Sequence, residues 1–275
     1  MSADDRDARV TSPYSDRAAA HTYRLVTGPV QFAPPVSDLI AMLGPVTGMR
    51  ILDVGTGTGI VAERIRNAAG PQALIVGVDA AVTMLTEGRQ AFDCPVVVAR
   101  LPELPFVAGT FDLAAAGFVI SHVPDYEAAL KDIARACRGD ARIGVTVWGS
   151  QPNPAAQLWT EMASRFVPRV ELDRAFRAHI PWDEWFSDPA RLLQALTAAG
   201  LRRGVVETRT YRMRMRTSDF LVSRDASIQG AVLRERLSDE QRDAFTLQLS
   251  DACESEFGNA VEYDRDDHFG VAQRS

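Results

Sequence analysis

Cysteine is scarce in this sequence, and the three that occur, Cys94, Cys137 and Cys253, lie far apart. An odd number of widely spaced cysteines fits neither a disulfide framework nor a zinc site, so we expect no bound metal. The N-terminal stretch MSADDRDARV has no apolar core, and no apolar run approaches the roughly 18 residues that a membrane span needs. We therefore expect a cytoplasmic protein that is not inserted in a membrane.

An excess of positive charge is also missing, because the 275 residues carry a formal net charge of -6 at pH 7. Proteins that bind nucleic acid normally present a basic patch or stripe to the phosphate backbone. Nucleic acid is therefore not an expected partner. Hydrophobic residues make up 46% of the chain, which is enough to fill a large core without a disulfide or a metal.

Short apolar segments with strand character alternate with amphipathic helical segments through the first half of the chain. Strands are predicted at 50–54, 73–79, 95–99, 111–119 and 141–148, and helices at 15–26, 36–43, 60–69, 81–90 and 125–138. Strands that alternate with helices of this length form parallel sheets that are covered by helices on both faces. The predicted fold class is therefore α/β.

The segments on either side of this alternation have a different character. Helices with Ser15 as the first N-cap precede it, and aromatic or helical blocks follow it, interrupted by two further predicted strands. The predicted domains are a helical lid at 1–44, an α/β core at 45–150, cap insertions at 151–187 and 217–257, and the remainder of the core at 188–216 and 258–275.

A glycine-rich turn joins the first predicted strand to the next helix in the stretch ILDVGTGTGIVAERI. Such a turn lets a ligand approach the backbone N–H groups at a helix N-terminus, where a Cβ atom would collide with the ligand or strain the turn. The glycines are Gly55, Gly57 and Gly59, whereas the dinucleotide fingerprint G-x-G-x-x-G needs a glycine where Ile60 stands. A nicotinamide or flavin dinucleotide is therefore disfavoured, and the absence of a following Lys-Ser/Thr pair excludes a P-loop.

An acid two residues before G-x-G-x-G, Asp53, makes this stretch resemble the first motif of the class I S-adenosylmethionine-dependent methyltransferases. Further similar motifs follow in order, namely LIVGVDAA with Asp79, VTML with Met84, LPELPFVAGTFDLAAAG, and FVISHVPDYEAALKDIARACRGDARIGVTVW. The resemblance covers residues 45–150 and is to the small-molecule branch of ubiquinone and menaquinone biosynthesis, type 11. It implies a Rossmann-like, mostly parallel, seven-stranded sheet with an inserted helical cap.

The resemblance also implies S-adenosyl-L-methionine as the cofactor. Asp53 would accept a hydrogen bond from the methionine ammonium, Asp79 would bind both ribose hydroxyls, and Met84 would cover the adenine. Many family members have Asp where this chain has Arg100, so adenine recognition would rely on the Leu101 N–H and on stacking with Met84 or Arg100. The implied cofactor-binding set is Asp53, Gly55, Thr56, Gly57, Gly59, Asp79, Ala80, Met84, Arg100, Leu101 and Phe118.

His122 is the candidate catalytic residue, since it follows the fourth predicted strand at the sheet edge where open α/β proteins bind ligands. An unperturbed histidine pKa of about 6.5 would suit a general base. The alternative is that His122 packs beside the cofactor or orients a loop. The substrate-binding candidates are Tyr14, Tyr23, Trp148, Trp182 and Trp185, for which core packing is the alternative.

Two polar features favour structural roles. Asp112, at the start of a predicted strand, is expected to be a cap or turn residue. The alternation in TYRMRMR places Tyr211, Met213 and Met215 on one strand face and the intervening arginines on the other. A solvated edge strand is the favoured interpretation, and a patch for an anionic substrate is the alternative.

We therefore predict methyl transfer from S-adenosylmethionine to an O, C or N atom of a small, apolar or aromatic metabolite, with a homodimer considered as the assembly. One alternative is a non-methylating reaction, such as a cyclisation, with the cofactor bound. A second is a non-enzymatic cofactor-binding protein. A nucleic-acid methyltransferase is disfavoured, because the chain reads FVISHVPD where such enzymes have an Asn/Asp-Pro-Pro-aromatic motif.

Overall fold

A computed structural model describes residues 13–89 and 94–275, and its centre is a seven-stranded sheet. The strands are Arg50–Val54 (β1), Leu74–Asp79 (β2), Val96–Val98 (β3), Phe111–Gly117 (β4), Cys137–Trp148 (β5), Leu201–Arg216 (β6) and Ala260–Arg274 (β7). Their order in the sheet is β3-β2-β1-β4-β5-β7-β6. The strands β1 to β5 are parallel, while β7 runs antiparallel to both β5 and β6. The predicted α/β class with a mostly parallel sheet is confirmed.

Helices precede, connect and follow these strands. They are Arg17–Thr22 (α1), Ala33–Leu43 (α2), Ile60–Ala69 (α3), Val82–Gly88 (α4), Tyr126–Ala136 (α5), Pro154–Ala163 (α6), Arg169–His179 (α7), Asp183–Phe186 (α8), Pro189–Ala198 (α9), Thr217–Asp225 (α10), Ile228–Arg236 (α11) and Asp239–Phe257 (α12). A π-helix, Tyr23–Phe32, joins α1 to α2. Within the two described ranges, no helix is both long and apolar enough to cross a membrane.

Neighbouring side chains of the parallel strands pack against helices on opposite faces of the sheet. On one face, Leu52 and Ala114 belong to a buried cluster that includes residues of α5 and α9. On the other face, Ile51 and Leu113 pack with residues of α2 and α3. Because successive strand residues point to opposite faces, both neighbours are buried and the strands are almost continuously apolar. The predicted covering of both faces is confirmed.

A separate apolar cluster joins the helices α6, α7, α10, α11 and α12 to one end of the antiparallel β6–β7 pair. Trp159 of α6 is only 1% exposed, and its ring meets that of Phe245 in α12 at a centroid distance of 5.8 Å. Met213 and Met215 of β6 belong to the same cluster. The helical blocks on either side of β6 therefore share one core, although they are separated in the sequence.

The N-terminal helical segment differs from its prediction in two ways. The N-cap of α1 is Asp16 rather than Ser15, because the Asp16 carboxylate accepts hydrogen bonds from two backbone N–H groups of the first turn. The chain then continues through the π-helix into α2, which begins at Ala33 instead of Val36. A π-helix has a wider turn, so a pattern based on 3.6 residues per turn does not detect it.

The arginine face of β6 is a solvated edge on which every arginine of the pattern has an acidic partner. The ion pairs are Arg212 with Glu262 and Asp264, Arg214 with Glu262, and Arg216 with Asp219. On the opposite face, Met213 and Met215 are buried. The favoured interpretation of TYRMRMR agrees with this arrangement, and a patch for an anionic substrate does not, because neighbouring carboxylates already balance these cations.

Asp112 ties the beginning of β1 to β4, in agreement with its predicted structural role. Its carboxylate accepts a 2.7 Å hydrogen bond from Arg50 N and forms ion pairs with Arg50 and Arg138. The hydrogen bond from the Arg50 side chain is the main reason why the pKa of Asp112 lies below its usual value. We expect Asp112→Asn to lower the free energy of unfolding by about 1–2 kcal/mol at pH 7, because charged hydrogen bonds are lost.

The same substitution has an expected pH dependence. A folded-state pKa below the unfolded value stabilises the fold at neutral pH, and this contribution is lost as the pH falls from about 4 through the folded pKa. Urea denaturation at pH 7 and about pH 3 measures the difference, with exposed Asp251→Asn as the control. Equal destabilisation by Asp112→Asn at both pH values would contradict the ion-pair explanation.

Candidate functional site

A cavity of about 510 Å³ opens at the carboxyl ends of β1, β2 and β4. The strand order reverses between β1 and β4, and open α/β sheets bind ligands in the crevice at such a reversal. The predicted site residues on the wall of this first cavity are Tyr14, Tyr23, Gly55, Gly57, Asp79, Ala80, Met84, Arg100, Leu101, Phe118, His122 and Trp148. The structure therefore brings most of the predicted residues together.

The glycine-rich turn gives the first cavity a wall made of backbone. Gly57 has a φ of +54°, and a Cβ atom built on it would have only Met84 Cε as a close side-chain neighbour, at 3.5 Å. A side chain at this position would therefore take up space in the cavity. Gly55 has a φ of +69°, and a Cβ atom there would lie 2.4 Å from Val119 Cγ2. Gly57 thus leaves room for a ligand, whereas Gly55 lets the turn pack against the segment after β4.

Asp79 is held in place by the backbone of two loops. One carboxylate oxygen accepts a 2.9 Å hydrogen bond from Gly57 N, and the other accepts a 2.8 Å bond from Ala81 N. Burial raises the pKa of Asp79, and the backbone hydrogen bonds, that from Ala81 first, oppose this rise. Each oxygen has a second lone pair, so the fixed carboxylate can still accept hydrogen bonds from the hydroxyls of a ligand.

Asp53, Thr56 and Gly59, which belong to the implied cofactor-binding set, do not line the first cavity. The Asp53 side chain is fully buried and accepts a 2.6 Å hydrogen bond from the Thr56 hydroxyl. Burial raises the pKa of Asp53 to about 7. Val54 and Gly55, which lie between them in the chain, line the first cavity. The hydrogen bond between Asp53 and Thr56 therefore stabilises the glycine turn on the side that faces away from the cavity.

Phe118 and Arg100 lie on other parts of the wall of the first cavity. Phe118 has a φ of +57°, which is rare for a bulky residue, and its N–H donates to Thr146 O at 2.9 Å. Backbone strain of this kind clusters at ligand sites. Arg100 is exposed just after β3, and no carboxylate in the described part of the chain forms an ion pair with it. Its guanidinium is therefore available to a ligand.

The ring of His122 is enclosed by two other aromatic side chains. The ring centroids of Tyr14 and Trp148 each lie 5.6 Å from it in edge-on arrangements. Nδ1 of His122 lies 3.1 Å from His179 O. A carbonyl oxygen can only accept, so Nδ1 carries the proton and Nε2 keeps a free lone pair in the neutral ring. Burial lowers the pKa of His122 to about 4, so the ring is neutral at pH 7.

Trp182 and Trp185, two of the predicted substrate-binding residues, lie on neither cavity wall. The Trp182 Nε1–H donates to Val123 O at 2.9 Å, and its ring packs edge-on against Tyr126 at a centroid distance of 4.7 Å. The Arg191 guanidinium lies 4.1 Å from the centroid of the Trp185 ring. Both tryptophans pack against the main core.

A second cavity of about 350 Å³ adjoins the first, and Tyr14, Tyr23, Phe32, Met84 and Trp148 line both. Away from these shared residues, its wall contains many polar side chains. They are Thr27, Gln31, Gln151, Asn153, Asp183, Ser223, Arg224, Ser227, Gln229, Tyr263 and Arg265. None of these residues was predicted, because they come from separate elements and form no local motif. Phe32 was also missed, since it lies in the undetected π-helix.

Comparison with known proteins identifies the central part of the chain. Residues 51–140 match the family described as "Methyltransferase domain". A demethylmenaquinone methyltransferase of Mycobacterium sp. (strain KMS) is 34% identical over 134 residues, which cover 48% of this chain and 56% of that protein. Nocamycin O-methyltransferase of Saccharothrix syringae is 33% identical over 139 residues, which cover 48% of this chain and 49% of that protein. The chain thus spans about half the length of these curated relatives.

A solved structure supports the fold over a longer part of the chain. The protein BH2331 of Bacillus halodurans C-125 superposes with a TM-score of 0.55 and 15% identity, covering 88% of this chain and 99% of that one. At this identity the likeness concerns the fold, and it agrees with the seven-stranded, Rossmann-like sheet described above. The match of residues 51–140 to that family agrees with the fold, with the glycine turn and with the position of Asp79 at the strand reversal.

Proposed function

We propose that the chain is an enzyme that transfers a methyl group from S-adenosylmethionine to an O, C or N atom of a small molecule in the second cavity. The observation that carries this proposal is the pair of adjoining cavities, whose shared residues Tyr14 and Trp148 both contact His122. Ligands in the two cavities would meet beside these rings. The relatives are named as methyltransferases, which favours methyl transfer over a cyclisation or a purely cofactor-binding role.

The residues of the first cavity fit S-adenosylmethionine. Asp79 would accept hydrogen bonds from the ribose hydroxyls, because its carboxylate is fixed and has free lone pairs. Gly57 leaves the space that the backbone approach of a ligand needs. Met84, Leu101 and Arg100 would contact the adenine. Arg100 stands at the position where many family members have Asp. When bound, the cofactor supplies a methyl group on an activated sulfonium.

The aromatic side chains between the cavities would hold the acceptor and keep water away. The Phe118 ring lies 5.1 Å, between centroids, from both Phe32 and Trp148. Tyr23 stacks on Phe32 at 5.2 Å. An enclosed apolar wall orients a flat acceptor and removes competing water. We therefore propose that the acceptor has an apolar or aromatic body, and that Tyr14, Tyr23 and Trp148 are the predicted substrate-binding residues that touch it.

The proposal is tested with the full chain in two steps. Calorimetry measures the binding of S-adenosylhomocysteine, and mass spectrometry then follows incubation with S-adenosylmethionine and a panel of phenols, hydroquinones and aromatic acids. We expect S-adenosylhomocysteine to bind and a product heavier by one CH₂ group to form. Absence of S-adenosylhomocysteine binding would overturn the proposal, and a product of unchanged mass would favour the cyclisation alternative.

His122 is proposed as the proton acceptor for a hydroxyl substrate, because its Nε2 lone pair is free. We expect His122→Ala to lower turnover by about 10- to 100-fold, at the low end of general base catalysis because the imidazole is weakly basic. The affinity for S-adenosylhomocysteine should change little. The base is neutral in the unsubstituted enzyme until the pH approaches its pKa of about 4, so its protonation should not limit the rate above about pH 5.

The control for this substitution is His21→Ala, since His21 bonds to Glu87 and lies on neither cavity wall. Steady-state kinetics with a substrate from the panel measures both variants. Nearly full turnover by His122→Ala would instead support the alternative that this ring only packs beside the ligand. The cytoplasmic location, the homodimer, the absence of a nucleic-acid partner and the predicted domain boundaries stay predictions.

A further inference from the structure

Arg224 of α10 is a half-buried cation on the wall of the second cavity, and no acidic side chain pairs with it in the described part of the chain. Its Nη2 donates to the Gln229 side chain at 2.8 Å, and its guanidinium lies 4.5 Å from the centroid of the Trp159 ring. Its Nε–H is buried without a hydrogen-bond partner. Among the residues that the structure describes, no carboxylate lies within ion-pair distance of Arg224. The positive charge is therefore uncompensated by the protein.

A second arginine on the same wall shows what a compensated cation looks like in this fold. The Arg265 guanidinium forms an ion pair with Asp267 at 2.7 Å and also donates to Gln31 O. Most other arginines with acidic neighbours, such as those of β6, are exposed. Arg224 thus differs from Arg265 in having no counter-charge, and it differs from the surface arginines in being half-buried, with an Nε atom that is shielded from water.

Leaving a charge buried and unpaired is expensive, and the usual consequences are neutralisation or a partner. Burial lowers the pKa of Arg224 only to about 10, so the guanidinium remains charged at pH 7. The amide of Gln229 and the face of Trp159 stabilise the cation, but neither carries a negative charge. The natural partner is a ligand anion, because the side chain lies on a cavity wall and no carboxylate of the described residues pairs with it.

The residues around Arg224 indicate which anion would fit. Asn153 and Tyr263 line the same cavity and can donate hydrogen bonds, whereas the Ser227 hydroxyl already donates to Arg224 O. The carboxylate of Asp183 lies on the wall of the same cavity and would repel a doubly charged group such as phosphate. A guanidinium with neighbouring neutral donors recognises a carboxylate well. Four of the five residues that this cavity shares with the first cavity are aromatic.

From this arrangement we infer that the methyl acceptor is a monoanionic carboxylic acid, with its carboxylate on Arg224 and its apolar body reaching the aromatic residues beside His122. This inference rests on the proposed function of the two cavities. Arg224 would be a specificity-determining residue, because it contacts the acceptor away from the reacting atom. It would favour an acid over the corresponding neutral ester, which has the same body without the charge.

The test compares matched pairs of ligands on the full chain saturated with S-adenosylhomocysteine. The pairs are benzoate, 4-hydroxybenzoate, 4-hydroxycinnamate and 2-naphthoate, each with its methyl ester, at constant ionic strength in chloride. Calorimetry and thermal denaturation measure binding. At least one acid should bind about tenfold more tightly than its ester, as expected for a charged hydrogen bond. If no acid in the panel is preferred, the inference is overturned.

Variants identify the residue that causes the preference. Arg224→Met should abolish it, Arg224→Lys should keep part of it, and Arg174→Met, which removes an exposed charge outside both cavities, should keep all of it. Without added acid, Arg224→Met should melt no lower than the unsubstituted protein, because it removes an unpaired, half-buried charge. A preference for acids that survives in Arg224→Met would overturn the inference. Failure of S-adenosylhomocysteine to bind would instead overturn the proposed function, so the two failures are distinguishable.

Discussion

Replacement of Asp79 by alanine is expected to weaken the binding of S-adenosylhomocysteine by about 100-fold or more. Two hydroxyl-to-carboxylate hydrogen bonds would be lost, each contributing about 1.5–3 kcal/mol when one partner is charged. The protein also loses the acceptor that fixes Gly57 N and Ala81 N, so the glycine turn and the start of α4 would be less well held. Both effects act in the same direction, and calorimetry on the full chain measures their sum.

Asp53→Asn is the matched control for this prediction. Asp53 also has a pKa raised by burial and lies in the same region, but its side chain is on the inner side of the turn and not on the cavity wall. An asparagine can still accept the hydrogen bond from Thr56, so we expect only a small change in affinity. Unchanged binding by Asp79→Ala would contradict the cofactor site. Equal losses in both variants would show that Asp53 contacts the ligand, as the resemblance implies.

The part of the fold from β1 to α5 was predictable because its signals are local. For β1 and α3, the apolar run, the glycine turn and the amphipathic pattern lie within twenty or so consecutive residues, and the predicted bounds, 50–54 and 60–69, equal the observed ones. The site at the strand reversal then follows from the topology, because parallel strands bring their carboxyl ends to one edge. Asp79 and His122, both predicted at this edge of the sheet, line the first cavity.

The second cavity was not predictable in the same way. Arg224, Asn153 and Tyr263 come from three elements that meet only after the helices of the cap pack on β6 and β7. These residues have no characteristic spacing in the sequence. Hydrophobic periodicity predicts which residues are buried, but it does not predict which of the buried residues line a cavity. The tryptophans illustrate this limit, since Trp148 lies on the cavity wall while Trp182 turns its indole N–H to Val123 O in the main core.

Gly55→Ala is expected to lower the free energy of unfolding by about 3 kcal/mol, combining backbone strain of about 1–2 kcal/mol with overpacking of similar size. The φ of +69° is unfavourable for alanine, and the new Cβ atom would lie 2.4 Å from Val119 Cγ2 and 2.6 Å from Val119 Cβ. Either the glycine turn or the segment after β4 must move. Because both line the first cavity, the affinity for S-adenosylhomocysteine should fall as well, and urea denaturation and calorimetry measure the two losses.

Gly48→Ala separates the two causes. Gly48 has nearly the same φ, +70°, but a Cβ atom there would meet nothing within 4 Å, so only the backbone strain of about 1–2 kcal/mol remains. A double-mutant cycle provides the second control, because in the Val119→Gly background the collision partner is gone and Gly55→Ala should cost no more than Gly48→Ala. If Gly55→Ala and Gly48→Ala lower the free energy of unfolding equally in the unsubstituted background, the glycine turn moves away from Val119 without a measurable penalty. The close approach to Val119 would then not be what holds the glycine turn at the cavity wall.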